Sequence, residues 1–459
     1  MRKALLIGFA VLVGLLPLRA AKGLPQPEKI QLGNGMTVFF LRDAELPLVA
    51  FRLYVKGAGT AFEPAEGLAD ITAELLLKGA AGKPAAQVAE EIDFLGASLV
   101  ATSQDEFFEM SGSSLAVNFP RLMAIASECL LKPDFSREEF DKERTRRMDT
   151  VMAVKDNPGQ AVRYYFRKTY FGSHPLGHLD IGTRSSLSTM TVESIRDFYK
   201  KFIVPQQAAM SVVGNLSLEE MKKLLDDTLA QWPKTGSAAA PTKLPAFPAP
   251  NSKVCLLIDK PDASQAYFTI GVPAYALGDP VSAAAQVMNT LFGGRFTSWL
   301  NTELRIKRGL TYGANSRFQT WRNGGIFTAS SYTKNDQIGE MLKITFDLLA
   351  KARNEGFASE EIESARNYIL GQFPPTLESL GAKAGAYVNL DFYGLGFGYY
   401  GTYLDRIANI DKAQADAVAK KYFPEQNFVL VVVGKAEEIA KQLAKFGDFK
   451  IKKISDPDF

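Results

Sequence analysis

The sequence predicts an α+β fold in two copies, each a mainly antiparallel sheet carrying helices. Three observations point there. Hairpin signals and helix signals alternate irregularly instead of forming strict strand–helix–strand units, which argues against parallel winding. The first half recurs in the second: VPQQAAMSVVG (Val204 to Gly214) is echoed by FPEQNFVLVVVG (Phe423 to Gly434), and Glu138 in SREEFDKER matches Glu360 in ASEEIESAR at an offset of 222 residues. Between the copies, residues 232–252 carry prolines at 233, 241, 245, 248 and 250 and little apolar surface, so they read as an extended linker with nothing to pack. The expected division is 25–231, linker 232–252, and 253–459.

In chain order, Ile30 to Asp43 reads as a hairpin around Asn34-Gly35, and LPLVAFRLYVKGAG as a third strand. Helices are expected from Gly67 to Lys78 and Pro84 to Leu95, then a strand pair within Ala97 to Val117. A helix over Phe119 to Leu131 leads to a charged helix from Arg137 to about Val154. After the loop FGSHPLGHLDIGT come the helix Val192 to Phe202, the strand AAMSVVG and the helix Ser217 to Gln231. His174 and His178 are four apart, but Pro175 and Gly177 between them make a loop, where that spacing gives no shared face. His174 therefore reads as a structural loop histidine and His178 as exposed.

The second half holds the most informative stretch, GGRFTSWLNTELRIKRGLTYGANSRF. A helical run from Thr297 to Lys307, with Trp299, Leu300 and Leu304 on one face, is stopped by Gly309. A strand is expected from Leu310 to Phe318, then a hairpin at Asn323-Gly324-Gly325 and a strand from Ile326 to Tyr332. Helix and strand thus bring Arg305 and Tyr312 to one neighbourhood, where a guanidinium and a phenol can donate to one carbonyl oxygen. From the spacing alone, a surface ion pair for Arg305 and ordinary strand packing for Tyr312 is the plainer reading.

The composition describes a water-soluble chain: 459 residues, 46% hydrophobic and 22% charged, enough for two or three domains. Arg2 and Lys3, an apolar run from Ala4 to Leu18, then Ala20 and Ala21 read as a secretory signal over residues 1–20, implying an exported, periplasmic protein. Cleavage after Ala20 removes Arg2, Lys3 and Arg19, so the formal charge falls from +3 to 3 − 3 = 0. No nucleic-acid partner and no polybasic membrane patch follow from that balance. Cys129 and Cys255 lie 126 positions apart, in separate halves, and read as buried small hydrophobes.

The chain resembles the pitrilysin/insulinase family of zinc metallopeptidases, in its bacterial short-chain branch. The resemblance rests on GNGMTVFFLRD near the start, GLTYG after an LR helix in the second half, Arg305 and Tyr312 seven apart, and two repeats joined by a proline-rich segment. It implies two homologous α/β rolls packed as a clamshell, with helices on one face of each sheet. The family's zinc site is an H-x-x-E-H helix flanked by GLA and by an apolar turn with KG. Here Gly67-Leu68-Ala69 and Leu75-Leu76-Leu77-Lys78-Gly79 are those flanks, and Asp70-Ile71-Thr72-Ala73-Glu74 stands between them. Asp70 and Glu74 replace the two histidines and Ala73 replaces the general base. The family's third ligand, seven residues beyond the glutamate of a K-E-R context, falls on Thr150, while the outer carboxylate survives as Glu143.

The resemblance therefore implies no zinc in this chain and a retained substrate-binding pair, Arg305 and Tyr312. A different cation at Asp70 and Glu74 lacks a third ligand from the motif; a solvated helix face or a salt bridge is the plainer reading. Two functions remain in view. The chain is the non-catalytic subunit of a heterodimeric periplasmic metallopeptidase, inactive alone and serving peptide substrates at the zinc of an H-x-x-E-H partner; or it is a peptide-binding scaffold with no proteolytic role. A self-sufficient hydrolase finds no support, since neither G-x-S-x-G nor a cysteine near a histidine occurs.

Overall fold

The computed structural model describes residues 24–234 and 243–459; the expected signal, 1–20, and the middle of the expected linker lie outside the described residues. The first half builds one six-stranded sheet from β1 (Glu28–Gln31), β2 (Thr37–Arg42), β3 (Leu48–Lys56), β4 (Ser98–Ser103), β5 (Phe107–Leu115) and β6 (Ala208–Gly214), in the order β1-β2-β6-β3-β5-β4. The second half repeats it with β7 (Val254–Asp259), β8 (Gln265–Ala274), β9 (Ala314–Trp321), β10 (Gly324–Lys334), β11 (Val429–Gly434) and β12 (Phe449–Lys453), in the order β12-β7-β11-β8-β10-β9. Written this way the two sheets have matching strand orders. The pairings β2–β6, β7–β11 and β7–β12 are parallel and the other neighbours antiparallel, so the α+β class holds. Only the outer edge differs: β1 comes first in its half, β12 last in the chain.

Local chemistry explains the ends of these elements. Asn34 in the first hairpin turn is buried, its side chain accepting from the Met36 amide at 3.2 Å and donating to the Leu229 carbonyl at 2.8 Å. The charged helix runs Arg137–Asp156, capped at its start by Ser136, which accepts from the Glu139 amide. Cys129 and Cys255 are both buried and unpaired.

The helices nearest the site are α1 (Leu68–Leu75), α2 (Arg137–Asp156), α3 (Pro158–Phe171) and α4 (Leu380–Tyr393). The last two are exchanged between the halves. Helix α3 of the first half lies on the second sheet, where the Phe166 ring fills the space over Gly271; a Cβ there would come within 2.2 Å of Phe166 Cζ. Helix α4 of the second half lies on the first sheet, with Lys383 paired to Asp43 at 2.6 Å, Lys56 paired to Asp391 at 3.2 Å, and the Ser211 hydroxyl donating to the Ala384 carbonyl. The two helices start 380 − 158 = 222 residues apart, the repeat offset seen in the sequence.

This exchange covers both faces of each sheet. Val429, Val431 and Val433 of β11 join the apolar cluster around Tyr165 and Phe166, whereas Leu430 and Val432 join the cluster of the second half's own helices. A strand buried on both faces has no polar side to show, hence the unbroken apolar run FVLVVVG. Beyond the helices that the resemblance places on one face of each sheet, the opposite face thus receives one helix from the other half.

The linker departs from expectation in one respect. Its described end does pack: the Phe247 ring lies 5.7 Å from Phe171 and 5.6 Å from Trp321 between centroids, and Tyr170 donates to the Pro248 carbonyl at 3.3 Å. His174 supports the same segment, its Nε2 3.4 Å from the Pro245 carbonyl. A single aromatic side chain can anchor an extended segment, because its burial contributes about 1.5–3 kcal/mol.

Candidate functional site: a filled metal position and an open arginine–tyrosine pair

Helix α1 carries the three altered motif positions. Its entry depends on Gly67, whose φ of +86° a side chain would resist and whose added Cβ would meet the Gly182 backbone at 2.8 Å. Glu63 takes the place of a cap, accepting from the Gly67 amide at 3.0 Å and the Ala69 amide at 2.7 Å. Burial pushes the Glu63 carboxyl up to about 7, against the nearby His178 ring and the backbone donors, which hold it down. His178 Nδ1 stands 3.5 Å from Glu63 Oε1. His178 is therefore half-buried, not exposed as its loop context suggests, because its ring is drawn toward a buried carboxylate.

Asp70 faces α2. Its Oδ2 is 2.6 Å from the Arg147 guanidinium and its Oδ1 accepts from the Ser103 amide at 3.2 Å. Arg147 also donates through Nε to Glu143 Oε1 at 2.8 Å, and Arg146 donates to the same carboxylate. Burial raises the Glu143 carboxyl, but the donors from Arg146 and Arg147 outweigh it and the net shift is downward. A guanidinium thus sits as the cation among the positions where the family holds its metal. Glu74 turns to Lys78 at 3.3 Å, Ala73 is fully buried, and the Thr150 hydroxyl donates to the Arg146 carbonyl at 2.9 Å within its own helix. Among the described residues no group of three or more His, Cys, Asp or Glu side chains is placed to hold a metal ion. The residues present do not fit zinc: Asp70 and Glu143 are committed to arginines and Glu74 to Lys78, and a bound Arg147 repels a second cation.

The second-half pair is arranged differently. The helical run before it begins at Trp299 and continues in wide π turns over Thr302–Lys307, a departure from α geometry that recurs at functional sites. Arg305 is half-buried with its guanidinium 4.8 Å from the Phe296 ring centroid, and no carboxylate among the described residues pairs with it. The expected strand from Leu310 starts only at Ala314, so Tyr312 belongs to the preceding loop and not to the strand. The reason lies in the flanks. Leu310 is buried with its amide on the Leu304 carbonyl at 2.8 Å, and the Ser331 hydroxyl donates to the Gly313 carbonyl at 2.9 Å. These contacts pin both sides of Tyr312 and turn its ring outward, 79% exposed. Arg305 is thus not the surface ion pair, nor Tyr312 the packed strand residue, that the spacing alone favours.

A polar cleft of about 640 Å³ lies between α3 and the face of β8, β10 and β9, and its lining includes neither Arg305 nor Tyr312. Arg163, Arg167 and Arg317 line it with Asp105 and Asp180. The two matching hairpin turns meet beside it: Trp321 Nε1 donates to Asp105 at 2.7 Å and the Arg322 amide to Glu106 at 3.4 Å. Sequence reasoning missed Arg147, Arg163 and Arg317, and passed over α3 altogether. Asn157-Pro158, a cap followed by proline at the first helical position, with Ala161, Val162, Tyr165 and Phe166 at helical spacing, is the signal that marks it.

The fold and site together define a two-roll protein of metallopeptidase architecture whose own metal position is filled by an arginine. Residues 38–184 match the insulinase family, peptidase family M16, and residues 189–369 match the peptidase M16 inactive domain. The chain belongs to this pitrilysin/insulinase family, as a homologue without the family's zinc ligands. It is 27% identical over 313 residues to an uncharacterized zinc protease of Streptomyces coelicolor, covering 67% of this chain and 68% of that one. It is 21% identical over 396 residues to a non-peptidase homolog of Helicobacter pylori, covering 84% and 89%. Among solved structures, a peptidase M16 inactive domain from Pseudomonas fluorescens aligns with a TM-score of 0.82 at 25% identity, covering 89% of this chain and 97% of that one.

Proposed function

We propose that this chain is the non-catalytic subunit of an exported, heterodimeric zinc metallopeptidase, in which Arg305 and Tyr312 bind peptide at the zinc of an H-x-x-E-H homologue. The observation that carries the reading is an asymmetry. The first half spends its charged groups on one another around Arg147, whereas the second half leaves Arg305 without a carboxylate and Tyr312 turned to solvent. A phenol with pinned flanks and an exposed ring, close in sequence to an uncommitted guanidinium, suits a group that must meet something outside the chain. The scaffold reading draws on the Helicobacter pylori relative, whose name is non-peptidase homolog.

The test is co-expression with an exported zinc-bearing homologue, confirmation of the complex by size-exclusion chromatography, and cleavage of an unstructured peptide. The chain alone is expected to cut nothing. Arg305→Ala or Tyr312→Phe should leave the complex assembled and lower kcat by about 10²–10³, since such donors act on the transition state. Variants that assemble and cut at the wild-type rate would move the chain to the scaffold reading.

A further inference from the structure

The polar cleft carries two guanidiniums, Arg163 and Arg317, that form no ion pair among the described residues. Arg167 is paired to Asp105, and its Nε is buried with no hydrogen-bond partner. Arg163 and Arg317 meet no carboxylate within ion-pair distance among the described residues, and they are near enough to repel one another. Both arginines are exposed, so water screens much of their repulsion, and an anion between them would offset the rest. Counting the lining side chains, three arginines against Asp105 and Asp180 leave 3 − 2 = +1, which a single carboxylate neutralises and a phosphate dianion exceeds.

The wall also has a period. Asn315, Arg317 and Gln319 alternate along β9, so all three project to one face at about 6.6 Å intervals. That is the two-residue repeat of an extended peptide, whose backbone amides a side-chain amide can both donate to and accept from.

We propose that this cleft binds an extended peptide through a carboxylate held between Arg163 and Arg317, with Asn315 and Gln319 taking the adjoining peptide amides. The site rests on the reading of this chain as a peptide binder but involves neither Arg305, Tyr312 nor a partner's zinc. It gives the substrate class a charge: peptides with an acidic side chain or a free carboxy terminus.

The experiment is isothermal titration of the chain alone with three Gly/Ser decapeptides. One carries a central glutamate and an amidated end, one glutamine at that place and an amidated end, and one glutamine with a free carboxylate end. At least one carboxylate peptide should bind about tenfold or more tightly than the neutral one, and comparison of the two identifies the source of the carboxylate. Arg163→Gln and Arg317→Gln, checked by unchanged melting, should each remove that preference. Equal binding of all three peptides, binding of none, or variants that keep the preference would overturn the proposal, as would inorganic phosphate that binds more tightly than either carboxylate peptide. Because no turnover is measured, loss of the subunit reading and loss of this site are separate outcomes. A carboxylate preference that persists while Arg305→Ala complexes cut normally would remove only the former.

Discussion

Arg147 lies between Asp70 and Glu143, 2.6 Å from the first carboxylate and 2.8 Å from the second, and all three side chains are largely buried. The helix that would present zinc ligands instead presents an acid to an arginine on the neighbouring helix. Removing the arginine leaves Asp70 without a cation in a poorly hydrated site, while Glu143 keeps its bonds to Arg146. Arg147→Ala is therefore expected to destabilise the fold by about 3 kcal/mol, read from denaturant unfolding. Asp70→Asn, which leaves Arg147 its bonds to Glu143, should cost less. Equal and small effects would show that the network is solvated.

The purified chain is expected to hold no stoichiometric zinc by metal analysis after dialysis. Restoring the ligands as Asp70→His, Ala73→Glu, Glu74→His and Thr150→Glu should still give weak binding while Arg147 stays. Adding Arg147→Ala should tighten it at least tenfold, about 1.4 kcal/mol. One tightly held zinc in the unaltered chain would end this account of the site.

Glu63 makes stability depend on pH. Its folded carboxyl titrates at about 7, above its ordinary value of 4.5, so the folded state holds the proton more tightly. That contribution is complete below pH 4.5 and is lost as pH rises through 7, by at most about 3 kcal/mol. Glu63→Gln removes the titrating group, its single carbonyl oxygen accepting from only one of the Gly67 and Ala69 amides, and should flatten this part of the profile. A wild-type stability that climbs steadily from pH 5 to 7.5, unchanged in the variant, would contradict the assignment.

Arg305 and Tyr312 should be nearly silent in stability. With Tyr312 exposed and Arg305 stacked on Phe296 with no ion pair among the described residues, Arg305→Ala and Tyr312→Phe are expected to shift unfolding by less than about 0.5 kcal/mol. A large loss of stability would make the pair structural.

Limited proteolysis should cut first between Lys234 and Lys243, since Trp232 on one side is buried and Phe247 on the other is packed. The fragments should remain together on a sizing column because α3 and α4 each lie on the other half's sheet. Fragments that separate freely would show that the exchanged helices contribute little.

Much of this molecule is legible from its residues. The hairpin at Asn34-Gly35, the helices Phe119–Leu131 and Val192–Phe202, the strand Ala208–Gly214 and the offset of 222 all follow from turn chemistry, hydrophobic period and repetition, which act over a few residues. The altered positions Asp70, Ala73, Glu74 and Thr150 are legible through the resemblance, which supplies the motif they depart from; the first three lie on α1 and Thr150 on α2. What replaces the metal is not. Arg147 reaches Asp70 across two helices 77 residues apart in sequence (147 − 70), and no spacing rule links them. Tyr312 leaves its expected strand because Ser331, on a neighbouring strand, holds the loop. The exchange of α3 and α4 likewise depends on which sheet face is free to receive each helix. Local propensity settles which elements form; only packing at long sequence separation decides which charges meet and which are left facing the cleft.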